Sequence, residues 1–106
     1  MFEEITPEQA NERLQANPEV KLLDVREEWE YERARLPQGI LVTQELAREI
    51  IEQWPRDTEI ICYCHHGNRS AYAALYLAQN GFTRVANLTG GIDAWSQTVD
   101  PSIPRY

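Results

Sequence analysis

Nine residues, Cys62 to Ser70 (CYCHHGNRS), gather both cysteines and both histidines of the chain, together with Gly67 and Arg69. Four readings compete for such a stretch: a metal site, a redox pair, an anion cradle around a nucleophile, or a crowded turn. Cys62 and Cys64 are separated by one residue, too little for an unstrained bridge, and both are read as free thiols. Structural zinc draws on ligand pairs roughly two to four residues apart, with a second pair elsewhere. This stretch holds every Cys and His of the chain, so no second pair exists. No metal and no cofactor are expected. An apolar EIICY precedes Cys64 and an alanine-rich run follows Ser70. A strand passing into a helix here exposes several backbone N–H groups at a helix N-terminus, where they favour negative charge. A cysteine at the mouth of that loop should have a lowered pKa, because its thiolate is the stabilised form. His65, His66 and Arg69 add positive charge, and Gly67 permits a backbone conformation that most residues resist. These parts fit an activated sulfur nucleophile with an anionic substrate.

The rest of the chain must position that loop. FEEI is a short strand candidate, and Thr6 is a helix cap, with Pro7 at the first helical position and Gln9 completing a capping box. VKLLDV reads as a buried strand, REEWEYERA as an amphipathic helix, and ILV as another strand after the turn LPQG. TQELAREIIEQW is a helix stopped by Pro55. EIICYC is the next strand. NRSAYAALYLAQN is a helix apolar on most faces, expected to pack centrally, with Gly81 at its C-terminal cap. RVANL is a strand, TGG a turn and IDAWSQ a short helix. Pro101 and Pro104 forbid its continuation, so residues 99–106 are expected to be a docked tail. Strands alternating with helices predict an α/β fold, a mainly parallel sheet with helices on both faces. In such sheets the ligand crevice lies beyond the carboxyl ends of the strands, where Cys64 falls.

A length of 106 residues suits one domain, 1–106, with a real hydrophobic core. Hydrophobic content of 42% and charged content of 25% argue against disorder. The formal net charge of −7 repels nucleic-acid phosphates, so no nucleic-acid partner is expected. Any anionic substrate must be drawn in by local groups. The acidic start MFEEITPEQA is no secretory signal, and no apolar run approaches the roughly 20 residues that span a bilayer. A cytoplasmic protein without a membrane partner is expected.

Three stretches, LLDVRE, CHHGNRS and NLTGGIDAWS, resemble in order and separation the signatures of the rhodanese-like sulfurtransferase family. The resemblance covers nearly the whole chain. It implies that Cys64 is the catalytic residue and that the loop from His65 through His66, Gly67, Asn68 and Arg69 to Ser70 binds the substrate. From Cys64 to Arg69 there are six residues, Cys-x4-Arg. The family uses a loop of that length for a sulfane sulfur, whereas related phosphatases and arsenate reductases use a seven-residue loop for a larger oxyanion. The implied reaction takes sulfane sulfur from a small anionic donor such as thiosulfate. A Cys64 persulfide passes it to cyanide, a thiol or a sulfur-accepting protein. The alternatives are a non-catalytic interaction module, or a phosphatase or arsenate reductase. One departure stands out: Arg35-Leu36-Pro37-Gln38-Gly39 occupies the place of the family's His-Ile-Pro-Gly-Ala.

The remaining residues take plainer readings. Cys62 is a buried strand residue. His65 and His66 either form a solvated tip or shape access to the nucleophile. Arg69 either leans over the site or pairs with a carboxylate behind it. The resemblance assigns Asp24 and Arg26 to bracing the site rather than reacting. Trp29, Trp54 and Trp95 are expected in the core, and the acidic REEWEYE run on a solvated helix face.

Overall fold

The computed structural model describes residues 1–106. Five strands and five helices alternate along the chain. They are β1 (Glu3–Ile5), α1 (Pro7–Ala16), β2 (Lys21–Asp24), α2 (Glu28–Arg33), β3 (Gly39–Leu41), α3 (Gln44–Gln53), β4 (Glu59–Tyr63), α4 (Asn68–Gln79), β5 (Arg84–Leu88) and α5 (Gly91–Thr98). The strands form one sheet in the order β1-β5-β4-β2-β3. Every pairing is parallel.

Local chemistry sets the element ends. The Thr6 hydroxyl accepts from the Gln9 amide at 3.1 Å, and the Gln9 side chain accepts from the Thr6 amide at 2.9 Å. Two of the orphan donors at the start of α1 are thereby satisfied. Thr43 caps α3 in the same way through the Leu46 amide. The second helix begins at Glu28, two residues later than the apolar pattern suggests, because Glu27 is extended and caps it, its amide donating to the Glu30 side chain.

Both sheet faces are covered, so β4 reads as a continuous apolar run instead of an alternating one. Ile60 and Cys62 face a cluster with Leu23, Ile50, Ala74, Leu77, Phe82 and Val85 under α3 and α4. Ile61 and Tyr63 face a larger cluster beneath α1 and α5, which includes Leu14, Leu22, Leu36 and Trp95. All four of these β4 residues have no exposed surface. Val99, Ile103 and Tyr106, beyond α5, pack against the second cluster.

Three expectations about side chains need correction. Trp29 is 58% exposed and lies outside the core. Trp54 is half-buried at the edge of the α3/α4 cluster, with its indole N–H on Glu49, and Trp95 alone of the three is fully buried. The fourth helix is not covered all round, since Tyr72 and Tyr76 project into solvent at 77% and 56% exposure. Alanine at positions 71, 73, 74 and 78 gives that helix an apolar composition without requiring burial of every face. No helix is long and apolar enough to cross a membrane.

Candidate active site

Cys64 follows the last residue of the central strand β4, at the carboxyl edge of the sheet where an open parallel sheet forms its crevice. The residue is 1% exposed. Its Sγ accepts the Gly67 amide at 3.1 Å, the Ser70 amide at 3.4 Å and the Ser70 hydroxyl at 3.3 Å. Burial pushes the thiol pKa up. The Ser70 hydroxyl and the amides of Ser70, Gly67 and Arg69 outweigh it, and the result lies below the ordinary thiol value. This balance defines a thiolate site: donors aimed at one sulfur, in surroundings that exclude bulk water.

The loop backbone is held by three hydrogen bonds from outside it, one from β5 and two from α5. Gly67 sits at φ +104 immediately before α4, and its carbonyl accepts from the Asn87 side chain of β5 at 3.0 Å. The amides of Ile92 and Asp93, in the first turn of α5, donate to the carbonyls of Cys64 and His65 at 3.0 and 3.1 Å. Gly91 makes that approach possible. A Cβ there would run into the same two carbonyls, and its φ is +62. The GGIDAW stretch therefore supports the loop from behind.

The two histidines differ. His65 is half-buried and stacks between His66 and Tyr106, with ring centroids 4.0 Å away on both sides. Burial, then repulsion from His66, lowers its pKa. His66 has 62% of its side chain exposed and approaches Asp93 at 4.0 Å. His65, His66 and Asp93 are the group best placed to hold a cation, with donor atoms within 4.8 Å of one another. Donors on one zinc ion lie closer, at about 3.3 Å for bonds near 2 Å. Asp93 is moreover held by Arg105 at 2.9 Å. Asn68 is exposed in the first turn of α4.

Arg69 pairs with a carboxylate instead of leaning over Sγ. Its guanidinium makes two bonds to Glu30, at 2.7 and 2.9 Å. The acidic run of α2 is consequently not all solvated, because Glu30 is 3% exposed. Arg69 first, against burial and with help from the Glu27 amide and the Tyr106 hydroxyl, holds the Glu30 carboxyl down at about 2. Asp24 and Arg26 form a second pair at 2.7 Å with no exposed side-chain surface on either partner. Asp24 also accepts the Tyr63 hydroxyl at 2.9 Å, one residue before Cys64. The same Arg26 Nη2 also donates to the Ala34 carbonyl, and Nη1 donates to the Tyr106 hydroxyl. Neither residue bonds Sγ. Arg35 is exposed and lies over the Tyr31 ring at 4.6 Å, while Leu36 beside it is buried with its amide on the Tyr63 hydroxyl.

Cys62 and Cys64 are both free. Burial, then the nearby Cys64, pushes the Cys62 thiol up to about 12, so it stays neutral. Two residues of this site had no sequence signal strong enough to find them. Glu30 sits in a charged run, where only its spacing of four from buried Ala34 points inward. Tyr106 lies beyond two prolines, and nothing in the local pattern brings it to the loop.

Known proteins resemble the chain along nearly its whole length. The family profile of the rhodanese-like domain matches residues 6–98. A sulfurtransferase from Allochromatium vinosum is 35% identical over 97 residues, 92% of this chain and 91% of that protein. A rhodanese-like domain protein from Staphylococcus aureus shares the fold with a TM-score of 0.77 at 24% identity, with 99% of each chain covered. A rhodanese-related protein from Thermoplasma volcanium gives a TM-score of 0.75 at 28% identity, covering 99% of this chain and all of the other.

Proposed function

The chain belongs to the rhodanese-like domain family, and on that premise we propose that it is a sulfurtransferase working through a persulfide on Cys64. The observation that carries this is the Cys64 sulfur held by three donors, the Gly67 amide of its own six-residue loop and the amide and hydroxyl of Ser70, which follows it. The Cys64 thiolate attacks the outer sulfur of thiosulfate. A new S–S bond forms, the donor's S–S bond breaks, and sulfite leaves with the electron pair. The terminal sulfur of the persulfide then carries the negative charge that the thiolate held. The loop amides are preorganised to stabilise it, as donors do around an oxyanion. Cyanide or a thiolate attacks the terminal sulfur, takes it away, and returns Cys64 as a thiolate. A reducing, cytoplasmic setting suits this cycle, since both cysteines are free and the nucleophile must stay so.

Wild-type protein mixed with thiosulfate should gain the mass of one sulfur atom, reversed by dithiothreitol and absent in Cys64→Ser. No gain with any sulfane donor overturns the proposal. If Cys64 also resists alkylation at neutral pH, a non-catalytic interaction module becomes the better reading. Aryl phosphate hydrolysis lost in Cys64→Ser would point to a phosphatase.

A further inference from the structure

Tyr106 touches one end of the Cys64 loop directly and reaches the other through Glu30. Its ring stacks on His65, the residue after the nucleophile, with centroids 4.0 Å apart and planes 9° from parallel. Its hydroxyl accepts from Arg26 at 2.8 Å and donates to Glu30 Oε2 at 2.8 Å. Glu30 in turn holds Arg69, which closes the six-residue loop, through two bonds. The tail that delivers Tyr106 is itself fixed, by Arg105 on Asp93 at 2.9 Å and by Ile103 against the core. Trp29, exposed on its other side, meets the Tyr106 ring edge-on at 5.9 Å.

We infer that Tyr106 is a positioning residue for the chemistry of Cys64, clamping the loop at His65 by its ring and at Arg69 through Glu30. The donors to Sγ, the Gly67 and Ser70 amides, belong to the stretch between or next to those two points. If either end loosens, the donors no longer converge on one sulfur. The proposal deepens the sulfur-transfer reading, and its kinetic half rests on it. Its thiol half does not.

The test compares Tyr106→Leu, which removes ring and hydroxyl, with Tyr106→Phe, which removes the hydroxyl alone. Two readouts are taken: the pH dependence of Cys64 alkylation by iodoacetamide, and kcat and KM for sulfur uptake from thiosulfate. The charged or titratable groups around Cys64 and its loop are Cys62 and Tyr63 of β4, Asp24 and Arg26 bonded to one another behind Tyr63, His65 and His66 of the loop, Arg69 of α4, Glu30 of α2 and Asp93 of α5. Both variants keep all of them. In Tyr106→Leu the alkylation midpoint should rise by about one pH unit, leaving about tenfold less thiolate below it. The kcat should fall about tenfold with KM little changed. Tyr106→Phe should move both in the same direction by less, and it decides the matter if Tyr106→Leu does not fold. Wild-type midpoints and kcat in both variants overturn the proposal, even if their melting temperatures fall. A raised midpoint in a protein that takes no sulfur supports the clamp and removes the sulfur-transfer reading instead.

Discussion

Replacing Glu30 with glutamine tests whether the Arg69–Glu30 pair contributes to stability. A glutamine side chain keeps the shape and can still accept the Glu27 amide, so the change removes charge more than structure. The Glu30 carboxyl falls from 4.5 to about 2 on folding, with the Arg69 bonds as the largest cause. At about 1.4 kcal/mol per tenfold, that difference corresponds to roughly 3 kcal/mol. Arg69 has 46% of its side chain in solvent, which screens the pair. The working expectation is therefore about 1–2 kcal/mol.

The pH dependence follows from the depressed value. The carboxylate's contribution is fully present above the unfolded value near 4.5 and is lost as pH falls through the folded value near 2. Urea unfolding followed by tryptophan fluorescence should show Glu30→Gln about 1–2 kcal/mol less stable than wild type at pH 7. At pH 3 less than half of that gap should remain, because the wild-type carboxylate is binding its proton on unfolding. A gap that is equal at pH 7 and pH 3 refutes the electrostatic account. A gap within about 0.3 kcal/mol of zero at pH 7 means the pair is idle.

Three other substitutions address the loop and its supports. Ser70→Ala removes the hydroxyl 3.3 Å from Sγ and should raise the midpoint of Cys64 alkylation by about one pH unit, since the lost donor favoured the thiolate; an unmoved midpoint removes Ser70 from the account. Gly91→Ala places a Cβ against the Cys64 and His65 carbonyls at a φ of +62. It should cost about 3 kcal/mol, seen as a melting point lower by about 10 °C or more, and a wild-type melting curve contradicts it. Cys62→Ala should cost about 1 kcal/mol for its small cavity while leaving sulfur uptake intact. Lost uptake in a folded Cys62→Ala protein would give that thiol a chemical role.

Much of the scaffold is legible in the sequence because its signals are local. The Thr6–Gln9 box, the apolar run of β4 and the glycine at φ +93 after α4 each report on their own neighbourhood. Alternating elements suffice for a parallel sheet, but strand order is not a local property. That β4 lies between β2 and β5 with β1 at the far edge follows from how the whole set packs. The site divides in the same way. Cys64, its loop and the supporting glycines form contiguous motifs. Glu30 and Tyr106 gain their meaning from partners distant in the chain: the buried Glu30 carboxylate is met by Arg69 and Tyr106 as well as by the nearby Glu27 amide, and Trp29, at the surface, meets the Tyr106 ring edge-on. Residue type alone predicts the opposite for both Glu30 and Trp29.

An acidic protein that is proposed to process an anion needs an explanation for how charge is handled at the sulfur. Two arginines stand near the loop, yet each is neutralised by its own carboxylate, Arg26 by Asp24 and Arg69 by Glu30. What faces Sγ directly is a set of amides and one hydroxyl. Fixed dipoles need no counterion and do not titrate. The net charge of −7 acts on approach, where salt screens it beyond about 8–10 Å. The Arg69–Glu30 pair therefore anchors the loop, Arg26 reaches it only through Tyr106, and the donors that face Sγ are neutral.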